Sequence, residues 1–154
     1  MVSVMRVEEK LEKLGFKLPE AAKPRYLWVG AKEVNGLVFV SGQGPGVGVK
    51  RGRVGAELSF EEGYEAAQKA CLNSLAQLKT VAKDLDRVES IVRVVGYINS
   101  ASGFVKQPEV LDGFSKILMG IFGEEAGRPT RAAIPVSLEG WVPIEVYMVA
   151  KLKE

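Results

Sequence analysis

The chain has 154 residues, 47% hydrophobic and 26% charged, which suits a single globular domain with a proper core and argues against disorder. A net charge of +2 gives no electrostatic case for nucleic acid or an anionic membrane as a partner. With no histidine and one cysteine, the chain is excluded from Ser-His-Asp and Cys-His chemistry, His-liganded metal sites and an intrachain disulfide.

In chain order, residues 2–14 read as an amphipathic helix, with Val4, Val7, Leu11 and Leu14 at helical spacing and Gly15 as the stop. This charged segment lacks the apolar core of a signal peptide, and no run approaches the ~20 apolar residues of a membrane span, so the expected location is the cytoplasm. After a connector bracketed by Pro19 and Pro24, residues 26–31 and 37–41 form a hairpin turning at Asn35-Gly36, the strongest short turn signal. The stretch GQGPGVGVKRGRVG (42–55) matches neither phosphate-loop pattern and reads as a flexible surface loop, with Lys50, Arg51 and Arg53 at a solvated tip. No aromatic residues interleave with these charges as a nucleic-acid surface would need.

Ser59 followed by Glu62 is a capping box that opens a long helix running to about Asp84. Its apolar stripe includes Tyr64, Ala67, Leu75 and Leu78, and carries Cys71 as a buried, inert thiol. Residues 88–99 are β-branched on both faces, as in a central strand buried on two sides. A second helix is predicted over 108–122, with Val110, Phe114, Ile117, Leu118 and Ile121 inward and Gly123 ending it.

The chain closes with GRPTRAAIPVSLEGWVPIEVYMVAKL (127–152), two strands around a turn-rich joint. Alternate strand residues share a face. In the last strand Ile144, Val146, Met148, Ala150 and Leu152 give one apolar face, leaving Glu145, Tyr147, Val149 and Lys151 on the other. In the strand before it Ala132, Ile134 and Val136 are read as the core side, with Arg131, Ala133 and Pro135 opposite. On this reading Arg131 and Glu145 both sit away from the core and form a site. The order of elements predicts a two-layer α+β domain, with both long helices on one face of a mixed sheet. The other face is too apolar to leave wet, which predicts a homo-oligomer.

Four segments in this order, VFVSGQGP (38–45), LSFEEGYEAAQKACLNSLAQLK (58–79), VVGYINSA (94–101) and RPTRAA…VPIEV, together resemble the RidA/YjgF family, also called the endoribonuclease L-PSP family. The resemblance runs from about residue 6 to the end as one domain, with residues 1–15 as an extra N-terminal helix. It implies a chorismate-mutase-like fold, a homotrimer with ligand sites between subunits, and cofactor-free hydrolysis of reactive enamines and imines, such as 2-iminobutanoate and 2-iminopropanoate, to 2-keto acids and ammonia. By position, Arg131 would bind the substrate carboxylate and Glu145 would orient the water. The Ala133 carbonyl would help hold that water, and Ser41 and Gly42 would line the cleft. The ligand-facing aromatic is Tyr26 or Trp28. An asparagine of some members has no match, Leu111 standing about there, and the Arg131-to-Glu145 spacing is shortened at SLEGW.

A guanidinium grips a carboxylate bidentately, and a glutamate can carry acid–base work without histidine. The resemblance leaves two further readings: a non-catalytic trimer that binds small carboxylates as a regulator or chaperone, and an endoribonuclease or translation initiation inhibitor. A third, purely structural reading makes Arg131 and Glu145 an interface ion pair.

Overall fold

The structure, a computed structural model, describes residues 4–24 and 27–154. The elements are α1 (Val7–Lys13), β1 (Ala31–Val34), β2 (Leu37–Gln43), α2 (Phe60–Ala82), a 3₁₀ turn (Leu85–Arg87), β3 (Val88–Asn99), α3 (Gln107–Phe122), β4 (Thr130–Val136) and β5 (Ile144–Leu152). The expected order of elements is reproduced. The first helix is shorter than predicted: Val4 lies outside it and is exposed.

Local chemistry explains the element boundaries. Asn35 and Gly36 both adopt positive φ, 51° and 81°, the pair of left-handed residues that a tight two-residue hairpin turn requires. Ser59 accepts from the Glu62 N–H at 3.1 Å, capping α2 as its sequence predicts. Helix α1 is held against the body by Arg6, which pairs with Asp84 and Asp86, and by Lys79, which pairs with Glu8 at 2.9 Å.

The five strands run in the order β1-β2-β5-β3-β4, antiparallel throughout except for the parallel pair β3–β4. That parallel pair is joined by α3, the crossover such a pair needs. Helices α2 and α3 pack on each other and cover one sheet face, where Val94, Ile98, Val146 and Met148 meet Leu75, Leu78, Phe114 and Leu118 in one core. Cys71 is fully buried in that core, and burial pushes its thiol pKa up, which keeps it protonated and inert. No helix among the described residues is long and apolar enough to cross a membrane.

The other sheet face is uncovered in the single chain. Phe39, Tyr147 and Ile134 are 48%, 46% and 37% exposed there, beside Val95, Tyr97 and Val149. Strand β3 is therefore buried on one face only in the single chain, because Arg93 is exposed and Val95 and Tyr97 are partly exposed on the other. Arg93, Val95, Tyr97, Ala132, Ile134, Tyr147 and Val149 line a shallow hollow of about 270 Å³ on this face.

Candidate functional site

Glu145 lies on the uncovered face, opposite Tyr97 in the β3–β5 register, while its neighbours Ile144 and Val146 are buried in the core. A β-bulge shapes its surroundings. Val40 pairs with Met148 and Gln43 with Val146, so Ser41 and Gly42 together stand opposite the single residue Tyr147. The bulge brings the Gly42 backbone under the Glu145 side chain. A Cβ at position 42 would sit 3.0 Å from Glu145 Cδ, so the missing side chain is what admits the carboxylate. Ser41 donates from Oγ to the Val29 carbonyl at 2.6 Å, which anchors the bulge to the chain entering β1. Tyr26, one of the expected ligand-facing aromatics, falls outside the described residues; the alternative, Trp28, is half exposed three residues before β1.

Glu145 is partly buried and has no hydrogen-bond or ion-pair partner among the described residues. Burial alone raises its pKa above the ordinary carboxylate value. A carboxylate with a raised pKa beside apolar and aromatic side chains suits acid–base work.

Arg131 does not lie where the sequence pattern places it. It pairs in register with Val94, a core residue, so its side chain is on the helix side of the sheet. There Nη1 donates to Asp112 Oδ1 at 2.7 Å and to Ser115 Oγ at 3.1 Å, and Nη2 makes a long contact of 3.4 Å with the Pro108 carbonyl. Ala132 and Ile134 are the residues on the uncovered face, while Ala133 packs against the core. Arg131 and Glu145 therefore stand on opposite faces, and one chain does not bring them together.

Strand β4 is a sheet edge, and its free side can be assigned. The Val136 carbonyl accepts from the Ser100 N–H at 2.8 Å. Successive peptide groups point to opposite sides of a strand, so Ala132, Ile134 and Val136 bond to β3. The backbone groups of Arg131, Ala133 and Pro135 then turn outward. Pro135, which has no N–H, takes a position where none is needed for the ladder. The Ala133 carbonyl thus faces the open edge beside Arg131.

The glycine-rich stretch is not the free loop that its composition suggests. Asn73 Nδ2 donates to the Gly44 carbonyl at 2.9 Å, and the Gly52 N–H donates to the Trp141 carbonyl at 2.8 Å. Its three cations are also engaged: Lys50 with Glu62, Arg53 with Glu57, and Arg51 with the Gly140 carbonyl. Arg128, close to Arg131 in sequence, makes an exposed pair with Glu124. Asn99 is the residue that sequence reasoning passed over. It is fully buried, donates from Nδ2 to the carbonyls of Leu138 and Gly52 at 2.8 and 3.2 Å, and accepts the Leu138 N–H on Oδ1 at 2.8 Å. A lone amide directly after the uncharged run 94–98 was the available signal.

Residues 8–152 match the family described as "YjgF/chorismate_mutase-like, putative endoribonuclease". The chain is 36% identical over 140 residues to Protein TCP17 of Trypanosoma cruzi, covering 89% of this chain and 88% of that one. Among solved structures it is similar to a "putative endoribonuclease" from Shewanella oneidensis MR-1, at 34% identity and TM-score 0.88, covering 96% of this chain and 100% of that one. It is also similar to Atu1372 from Agrobacterium tumefaciens, at 31% identity and TM-score 0.85, covering 96% and 92%.

Proposed function

Since the chain belongs to the YjgF/chorismate mutase-like family, we propose that it is a hydrolytic deaminase of reactive 2-imino acids and their enamine tautomers, acting in a cleft that forms where copies of the chain meet. The observation that carries this reading is Glu145: a partly buried carboxylate with a raised pKa and no partner among the described residues, cradled by a glycine at a β-bulge. An imine carbon is already electrophilic, so hydrolysis needs positioned water and a group that moves protons. Glu145 accepts a proton as water adds to C=N and returns it to the departing nitrogen. The 2-imino acid and one water thus give the 2-keto acid and ammonia. Arg131 holds the substrate carboxylate, and the outward-turned Ala133 carbonyl accepts a hydrogen bond from the water.

The same geometry supports assembly as a homotrimer. Arg131 at the β4 edge and Glu145 on the uncovered face cannot flank one small ligand within a chain, whereas the edge of one copy laid across the face of the next brings them together. That arrangement also removes the exposed Phe39, Tyr147 and Ile134 from water.

The test is a coupled assay in which an amino-acid oxidase generates the imine in situ. The protein is expected to accelerate keto-acid release, and Arg131→Ala to lose about tenfold to a hundredfold of that gain, the scale of one charge-assisted carboxylate contact. Ligand-induced thermal stabilisation without any turnover would replace this reading with a carboxylate-binding regulator. RNA cleavage surviving Arg131→Ala would replace it with a nuclease. A milder variant probes the cradle. Gly42→Ala places its Cβ against the Glu145 carboxylate and should lower kcat about tenfold with little change in Tm. Unchanged turnover in Gly42→Ala would show that the carboxylate's position is not critical.

A further inference from the structure

We propose that Asp112 is a positioning residue that determines which ligands Arg131 accepts, making the carboxylate site selective for mono-anions over di-anions. The inference rests on the reading of Arg131 as the carboxylate anchor. A guanidinium carries five N–H donors. Nη1 spends both of its own on Asp112 Oδ1 and Ser115 Oγ, and Nη2 turns one toward the Pro108 carbonyl. All three partners belong to one helix, at Pro108, Asp112 and Ser115, spacings that put them on the same side of α3. What remains is Nε and one hydrogen of Nη2, which form a single edge able to take one carboxylate bidentately. The helix thus fixes both the plane of the guanidinium and the edge it offers.

Charge follows from the same contacts. Asp112 has no ion-pair partner other than Arg131 among the described residues. Once a ligand carboxylate docks, one positive charge is shared by two negative ones and the cluster carries a net charge of −1. A ligand with a second carboxylate adds another negative charge to a site whose only bonded cation is already shared. The Arg131 side chain is 26% exposed and that of Asp112 41%, so water screens this repulsion in part. Asparagine at position 112 keeps an acceptor for Nη1 and removes the negative charge, whereas alanine also removes the tether.

The experiment measures binding, so its outcome does not depend on turnover. The full-length protein, Asp112→Asn and Asp112→Ala are titrated calorimetrically with 2-oxobutanoate and with 2-oxoglutarate, after circular dichroism melts establish that each is folded. The wild type is expected to bind the monocarboxylate at least about tenfold more tightly, one charge contact's worth of discrimination. Asp112→Asn should tighten both ligands, the dicarboxylate more, and so narrow that ratio severalfold. Asp112→Ala should weaken both ligands relative to Asp112→Asn. A merely structural aspartate would move both affinities together and leave the ratio fixed. A ratio that Asp112→Asn does not change, or binding of neither ligand by the wild type, overturns the proposal. Selective binding without imine hydrolysis would overturn the deaminase reading and leave this one standing.

Discussion

Replacing Asn99 with alanine is expected to destabilise the domain by about 3 kcal/mol and to lower Tm by roughly 6–12 °C for a chain of this size. Asn99 is the point at which three segments distant in sequence are joined. Its side chain binds the Gly52 carbonyl and both backbone groups of Leu138, while its own N–H donates to the Pro143 carbonyl and its own carbonyl accepts from Val54. Truncation leaves the buried Gly52 carbonyl and the Leu138 groups without partners, each costing about 1–3 kcal/mol where water cannot replace the amide. Leu138 is exposed and can recover much of its loss from solvent, which keeps the estimate near the upper end of one group's cost instead of the sum of three. Asn99→Asp separates the explanations. It keeps the volume but turns carboxylate oxygens toward two carbonyls, so it should be at least as damaging as alanine. Chemical denaturation reads both. A loss under about 0.5 kcal/mol for alanine would mean that the glycine-rich stretch and the β4–β5 joint hold their places without it.

The local signals were readable because each is complete within a few residues. Asn35-Gly36, Ser59 with Glu62, and the strict alternation from Ile144 to Leu152 all fold as their patterns require. Strand β4 misleads because hydrophobicity did not decide which of its faces turns inward; size did. Helix α3 lies so close to β3 and β4 that a Cβ on Gly96 would meet Leu111 Cδ1 at 2.6 Å. Beneath that contact only small residues fit, so Ala133, the neighbour of Gly96, faces the helices and the bulkier Ile134 faces outward. Arg131 follows Ala133 onto the helix side by the same alternation, and Asp112 and Ser115 receive it. The glycine-rich stretch misleads for a related reason. Its composition describes the freedom of the isolated chain, whereas Asn73 and Asn99, which restrain it, come from other elements. The bulge at Ser41–Gly42 depends on the pairing with β5 and has no signature of its own.

Replacing Glu145 with glutamine should abolish most of the hydrolysis while making the protein more stable at neutral pH. The loss of activity is expected to be about 10²- to 10⁴-fold, the usual worth of a positioned acid–base group, because an amide keeps the shape but cannot take a proton from water. The gain in stability comes from burial. Burial raises the Glu145 pKa, so between its ordinary and its raised value the folded state binds more protons than the unfolded one. Its contribution is therefore fully present below the ordinary carboxylate pKa and is lost as pH rises through the raised value. Glutamine carries no charge to desolvate, so the difference in Tm between Glu145→Gln and the wild type should be near zero at acid pH, grow as pH rises, and level off above the raised pKa. Thermal melts of both proteins across that range measure it. The structural alternative, in which Glu145 forms an ion pair with a cation of a second copy, predicts the opposite sign: Glu145→Gln would then be the less stable protein at neutral pH, by the cost of stranding a buried cation. A carboxylate whose removal costs activity and adds stability is one held in an unfavourable place for its chemistry, which is the role assigned to Glu145.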